Sequence, residues 1–354
     1  MIPVFHENNV TVFNTDARRL PDLLPQGGAH AIVTDPPYEL RLNMSGGNAH
    51  YDATGVSFDP LFWNSLLPLV RPGGFLMAFG APRTWHRLAC AVEDAGWLIR
   101  DQICWLYESG MPKGEWAAHA VDRALGVDDT RPVEAPARGV YHRRRAREGA
   151  YRPVAEEARA WVGWNPTLKP AWEPILVAQR PREGVLGRNL LDHGAGALHV
   201  GEGAYPSNVI ADMCPAFMLQ SKAPARERPS WQGLAGAPRL RDDAWRRACG
   251  RHGLTPDGRD YPLGLFDPDE RGLFDRVRVV SYAHPTVKPL ALMRRLVHLT
   301  VPRGGLVVDP FSGSGSTLEA ARLEGVRAVG CDIDPMNLPL IKARLDRPAS
   351  TPLF

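Results

Sequence analysis

The apolar run Ala31-Ile32-Val33-Thr34 breaks off against Asp35-Pro36-Pro37-Tyr38, and this junction limits what the chain can fold into. The run reads as a buried strand. Two prolines then fix φ and remove two N–H donors, so pairing stops and the backbone offers only carbonyls. In an open α/β sheet, ligands gather at such carboxyl ends of strands. The Asp35 carboxylate, the Pro36 carbonyl behind Pro37 and the flat Tyr38 ring suit an amino group on a planar base. Asp35 and Pro36 would accept its two N–H bonds while Tyr38 stacks on the ring. The plainer alternative is a strand-to-loop turn with a surface tyrosine.

The pattern around this junction supports the sheet. Val10–Phe13 reads as a strand, Leu61–Leu69 as a helix ending at a Pro72-Gly73-Gly74 turn, and Phe75–Phe79 as a strand. Trp85–Ala95 reads as a helix stopped by Gly96, and Leu98–Leu106 as a strand. Glu173–Ala178 adds one strand. Further on come a helix over Leu290–Leu299, a strand over Gly305–Val308, a helix over Leu318–Gly325, a strand over Ala328–Cys331 and a last helix over Pro339–Leu345. Alternating strands and helices predict a mostly parallel sheet covered on both faces. The expected organisation is a catalytic, base-binding half over 1–109, a basic insertion over 110–160 and a core strand segment over 161–180. A less regular target-recognition region over 181–281, a cofactor-binding half over 282–346 and a tail over 347–354 follow.

A second chemical motif is Asp309-Pro310-Phe311-Ser312-Gly313-Ser314-Gly315-Ser316-Thr317, set between a strand and a helix. Such a glycine-rich turn lets a ligand approach the backbone closely. It does not match GxGxxG and lacks a P-loop lysine, which disfavours dinucleotides and ATP. One strand later stands Gly330-Cys331-Asp332-Ile333, with an acid placed to hold ribose hydroxyls. The pair suits an adenosine ligand without a pyrophosphate, which describes S-adenosylmethionine. A tight turn with a helix cap at Ser316 or Thr317 is the alternative.

Composition narrows the setting. With 354 residues, 44% hydrophobic, the chain is long enough for a full core. No apolar run approaches the ~20 residues that span a bilayer, and the N-terminus carries no secretion pattern. Five scattered cysteines without a CxxC pair speak against a zinc ribbon or disulfide framework and fit a reducing cytoplasm. No metal is expected. A net charge of +3 means that a polyanion must be met by local patches. Arg143-Arg144-Arg145, with Lys222, Arg226 and Arg228, are the candidate contacts to DNA phosphates. The alternative is a solvated surface. Trp161, Trp164, Trp231 and Trp245 lie nearby, and each reads more readily as core than as a stacking wedge.

At these residues the chain closely resembles the β class of DNA amino-methyltransferases, in which the DPPY half precedes the cofactor half. Asp16-Ala17 looks like that class's acidic contact near the cofactor's adenine. His284-Pro285-Thr286-Val287-Lys288-Pro289 looks like the segment opening the cofactor half, which implies cofactor-side roles for Thr286, Lys288 and Pro289. Leu168-Lys169-Pro170-Ala171-Trp172-Glu173-Pro174 is another familiar segment. Asp332 stands where Glu is more frequent. The resemblance implies a Rossmann-like, circularly permuted methyltransferase fold, with seven strands, one of them antiparallel. It implies double-stranded DNA as partner, S-adenosylmethionine as cofactor and a cytoplasmic bacterial or phage-encoded setting. Dimerisation is common in the class.

The implied chemistry is in-line methyl transfer to an exocyclic amine of a flipped base, with adenine N6 the first choice. Phe311 or Trp63 would add apolar wall. Stacking needs the Tyr38 ring and not its hydroxyl, so Tyr38→Phe should be mild. Cytosine-N4 is the runner-up, since both amines fit the same acceptors and its methylases more often carry Ser at the place of Asp35. Cytosine-C5 chemistry is disfavoured because no Pro-Cys dipeptide occurs. Glutamine methylation is disfavoured because that pocket typically begins with Asn. A DNA-binding protein without catalysis would not need Asp35, Tyr38 and Gly313 intact.

Overall fold

The computed structural model describes residues 3–40, 52–107, 115–127, 153–168, 170–201, 207–210, 228, 230–239, 242–252, 254, 256, 261–284 and 286–347. The chain forms two compact units, one of residues 1–107 with 172–354 and one of 108–171.

The larger unit is built on a nine-stranded sheet. Its strands are β1 (Phe5–Glu7), β2 (Val10–Asn14), β3 (Ala29–Thr34), β4 (Val70–Phe79), β5 (Leu98–Leu106), β6 (Trp172–Gln179), β7 (Val209–Ile210), β11 (Leu306–Asp309) and β12 (Arg327–Asp332). The order across the sheet is β1-β2-β12-β11-β3-β4-β6-β5-β7. The seven expected strands are the middle seven, with β6 antiparallel to both neighbours. Two short edge strands were not expected: β1, antiparallel to β2, and β7, parallel to β5.

All six residues of β3 are buried, the polar His30 and Thr34 among them, as befits a strand covered on both faces. Alternate residues serve different cores. Ala31 and Val33 join the helices Leu290–Thr300, Ser316–Leu323 and Leu338–Leu345, whereas Ile32 joins Pro60–Leu66 and Trp85–Asp94. Each fully buried Val or Ile contributes about 1.5–3 kcal/mol.

Pro72-Gly73-Gly74 is not a turn ahead of a strand. It is an irregularity inside β4: Ala29 pairs with Val70, and the next pairing, Ala31 with Phe75, skips it. Gly73 sits at φ +78° there, and a Cβ on it would meet the Asn189 amide at 2.6 Å. Asn189 is buried and donates to the Pro72 carbonyl at 3.0 Å.

The stretch 181–281 is more regular than its Gly- and Pro-rich sequence suggests. It holds the helices Leu186–His193 and Asp243–Arg251, and most of a second sheet in the order β10 (Phe274–Ala283), β8 (Ser230–Pro238), β9 (Tyr261–Pro262). Trp245 is fully buried among Tyr261, Phe266 and Phe274. Beside it His252, Asp267 and Glu270 form the one group, among the described residues, spaced to hold a metal ion. Glu270 is already committed: it accepts from His252 at 2.8 Å, from the Asp267 N–H at 2.9 Å and from Arg251.

The smaller unit contains the helices Ala117–Ala124 and Glu156–Arg159. Asp122, fully buried, ties them by accepting the N–H groups of Val154 and Ala155 at 2.7 and 2.8 Å. Trp161 and Trp164 contradict the core reading: they are 45% and 62% exposed and meet edge to face, 5.8 Å apart. For Trp245 the core reading holds.

Candidate active site

The sheet order explains why residues nearly 280 positions apart meet. β11 and β12, from the end of the chain, insert between β2 and β3, from its beginning, and all four run parallel. From β11 the chain crosses to β12 on one side; from β3 it passes to β4 on the other. The carboxyl ends of β3 and β11 therefore flank a topological switch point, where open sheets form a crevice. A hydrogen bond joins the two ends: the buried Thr34 hydroxyl donates to Asp309 Oδ1 at 2.7 Å.

On the β3 side, the Asp35-Pro36-Pro37-Tyr38 turn is fastened at several points. Ser57 donates to the Pro37 carbonyl at 2.6 Å, and Thr84 to the Tyr38 carbonyl at 2.9 Å. Trp63 is fully buried and bonds the Ser57 carbonyl at 2.9 Å, so it braces this loop from the core and does not form wall. Phe311 is half-buried against Phe62, with ring centroids 5.5 Å apart.

Lys288 stands at the centre of this end. Its Nζ lies 2.6 Å from Asp35 Oδ2 and 3.5 Å from Glu173 Oε2, and about 5 Å above the Phe79 and Tyr38 rings. Lys288, expected on the cofactor side, thus reaches the β3 turn. The Tyr38 hydroxyl donates to Glu173 Oε2 at 3.0 Å, so the hydroxyl is not idle. Asp35 Oδ1, by contrast, is buried and makes no hydrogen bond among the described residues. Burial pushes the Asp35 carboxyl up from its ordinary value, while Lys288 pulls it back. Burial opposes the Lys288 charge, yet Asp35 and Glu173 outweigh it and raise that ammonium's pKa. Glu173 escaped sequence reasoning as a site residue. Its signal was a charge in an otherwise apolar strand.

On the β11 side, Gly313 at φ +48° and Gly315 at φ +79° shape the turn. A Cβ on Gly313 would sit 2.9 Å from His284 Nε2, so that ring closes over the glycine. Burial and the nearby Lys288 push the His284 imidazole down to about 4, so it is neutral at ordinary pH. Gly315 caps the helix Ser316–Leu323, with Ile341 packed against it. Asp309 is buried; it accepts from Thr34 and the Phe311 N–H, and burial pushes it up to about 6. Pro310, Ser312, Ser314, Ser316 and Thr317 are buried as well, so they build the loop. Asp332 Oδ2 accepts the Gly313 N–H at 2.7 Å, and Oδ1 accepts from Asp334 and Asn337. Burial pushes Asp332 up to about 6.

Asp16 reaches the same rim through β2, where the Thr15 N–H bonds the Asp332 carbonyl at 3.0 Å. It caps the turn Ala17–Arg19, with Ala17 buried beneath. Ile333 is 67% exposed beside Asp332, Thr286 is exposed, and buried Pro289 caps the helix Leu290–Thr300. This donor set fits a cationic nucleoside: half-buried carboxylates at Asp16, Asp35 and Asp332, an apolar side chain at Ile333 and a glycine whose Cβ position is closed. Arg143, Arg144, Arg145, Lys222 and Arg226 lie outside the described residues, and Arg228 is exposed.

The chain is similar to known methylases. The family description "DNA methylase" matches residues 29–343. The Type II methyltransferase M.HindIII of Haemophilus influenzae is 22% identical over 262 residues, 73% of this chain and 59% of that protein. The DNA adenine methyltransferase YhdJ of Escherichia coli is 37% identical over 76 residues, 21% of this chain and 26% of that one. These matches span less than two thirds of either relative. The solved structure of the PvuII DNA methyltransferase (cytosine-N4-specific) shares the fold, with a TM-score of 0.51 at 13% identity over 99% of this chain and 91% of that one. The chain belongs to the N6/N4 DNA methylase family, whose methyl donor is S-adenosylmethionine.

Proposed function

We propose that the chain methylates the exocyclic N6 amine of adenine in double-stranded DNA, after the base has left the stack. The observation that carries this reading is Asp35 Oδ1, a buried acceptor without a hydrogen bond among the described residues, in the same pocket as the Tyr38 side chain. A buried acceptor left unmade costs about 1–3 kcal/mol, so it is kept where a partner arrives. An amine hydrogen is such a partner.

S-adenosylmethionine would supply an activated methyl cation equivalent from the side of Gly313, Asp332 and Asp16. The rest falls to the protein. Tyr38 would stack on the flipped base, worth about 1–3 kcal/mol. Asp35 Oδ1 and the Pro36 carbonyl would each accept one amine hydrogen, which turns the nitrogen lone pair out of conjugation. The nitrogen would gain the methyl group as the sulfonium's S–CH3 bond breaks and leaves a neutral thioether; the positive charge would pass to the nitrogen, which would then shed one proton. Asp35, with its pKa raised by burial, is an acceptor in place for it. Orienting two bound reactants this way can supply roughly 7–11 kcal/mol.

Two points support adenine over cytosine. Asp, not Ser, opens the tetrapeptide at residue 35, and the Escherichia coli relative is named an adenine methyltransferase. Basic residues at 143–145, 222, 226 and 228 are proposed phosphate contacts, which would set affinity and make it fall with salt. The test is transfer of a tritiated methyl group to unmethylated DNA, followed by nucleoside analysis. Label in N6-methyladenine supports the reading; label in N4-methylcytosine moves the target; no label with intact cofactor binding sinks it.

A further inference from the structure

We propose that Lys288 is a positioning residue for methyl transfer: by holding Asp35 Oδ2 and the Glu173 carboxylate, it presents Asp35 Oδ1 alone to the target amine and fixes Tyr38 through Glu173. The inference rests on the proposed amine methylation. Lys288 is 8% exposed, with its ammonium 2.6 Å from Asp35 and 3.5 Å from Glu173. A buried lysine reaching two carboxylates from a different segment is costly unless its charge is used. Here the charge settles a geometric ambiguity. A free carboxylate can offer either oxygen; with Oδ2 engaged, only Oδ1 is left.

The same three charges suit the reaction. Asp35 and Glu173 are negative and Lys288 positive, so the cluster carries one surplus negative charge. Methyl transfer moves a unit of positive charge onto the base nitrogen. A surplus negative charge fixed nearby favours that movement in a water-poor site. Without Lys288, burial and Glu173 both push Asp35 toward its protonated form, which has one acceptor fewer. The charged or titratable groups around Asp35 are Lys288, Glu173, Tyr38 and Asp309. Around Glu173, Tyr38, Tyr107 and Lys288 are among the described groups, and His284, packed on Gly313, faces Lys288.

Two substitutions should move the pH profile in opposite directions. Lys288→Met removes the charge that lowers the Asp35 pKa, so the acid limb of kcat should shift up by a pH unit or more. At neutral pH kcat should fall at least tenfold, while the KM for DNA and the Kd for S-adenosylmethionine change less than threefold. Glu173→Gln removes the like charge that raises the Asp35 pKa, so its acid limb should shift down. Ethylammonium added to Lys288→Ala should restore part of the rate. Titration of 13C-labelled aspartate in the full chain reads the Asp35 shift without any turnover, so an inactive wild type would sink the methylation reading while leaving this test in place. Acid limbs that stay put or move the same way in both variants overturn the proposal. A Kd for S-adenosylmethionine weakened tenfold or more in Lys288→Met, with kcat kept, also overturns it and returns Lys288 to the cofactor.

Discussion

Tyr38 has two separable roles. Its ring faces the Lys288 ammonium, and its hydroxyl donates to Glu173 at 3.0 Å. A hydrogen bond to a charged acceptor is worth about 1.5–3 kcal/mol, so Tyr38→Phe should lower kcat/KM at least tenfold. Tyr38→Ala should lose the stacking as well, with a further rise in the KM for DNA. Steady-state kinetics on a methylatable duplex decide this, and a wild-type rate in Tyr38→Phe would refute the role of the hydroxyl. At this scale the sequence was half legible. Asp35-Pro36-Pro37-Tyr38 announced itself, because prolines after an apolar strand have few other uses. The partners did not: Glu173 and Lys288 lie 135 and 250 positions after Tyr38, and only the sheet order joins them.

Elements show the same split between local and distant causes. The glycine turn after β11 was readable because strand, glycines and helix follow one another directly. Its tightness was not. Gly313→Ala would need a side chain at φ +48° and would press on His284. Such a conformation costs of order 1–3 kcal/mol, so the Kd for S-adenosylmethionine should weaken about fivefold or more by calorimetry; an unchanged Kd would show that the loop does not meet the cofactor. The second sheet was missed because β8 reads Ser-Trp-Gln-Gly-Leu-Ala-Gly-Ala-Pro, with no run of β-branched residues. Its neighbour Glu270 gives a pH test. Burial opposes its charge, but bonds from His252 and Arg251 outweigh that and pull it down to about 2. A depressed carboxylate stabilises above its unfolded pKa of 4.5 and loses that contribution as pH falls toward 2. Glu270→Gln should therefore lower stability at pH 7 by about 1 kcal/mol in urea unfolding, with the gap to wild type closing below pH 4.5. A gap independent of pH would contradict this.

Across the whole molecule, permutation is what makes the site. Strands from early and late in the sequence interleave at the sheet's centre, so the β3 and β11 sides of the crevice cannot form separately. The alternating pattern legibly gave a parallel sheet. The strand order was not legible, since periodicity alone does not say which strands pair. The helices Ser316–Leu323 and Leu338–Leu345 lock the β11 side of the crevice through a buried pair, Arg344 Nη1 to Glu319 Oε2 at 2.5 Å, with Arg344 also bonding the Ser314 carbonyl. Breaking such a pair leaves an uncompensated charge, so Arg344→Met should destabilise by about 3–5 kcal/mol in thermal unfolding. A loss under 1 kcal/mol would show that the pair is not essential to the closure.

The most direct measurement compares DNA from methylase-deficient bacteria expressing the wild-type chain or Asp35→Ala, by nucleoside mass spectrometry, with cofactor binding measured on both purified proteins. The account predicts N6-methyladenine with the wild type, none with Asp35→Ala, and similar affinity of both for S-adenosylmethionine. N6-methyladenine that persists without the Asp35 carboxylate would contradict it.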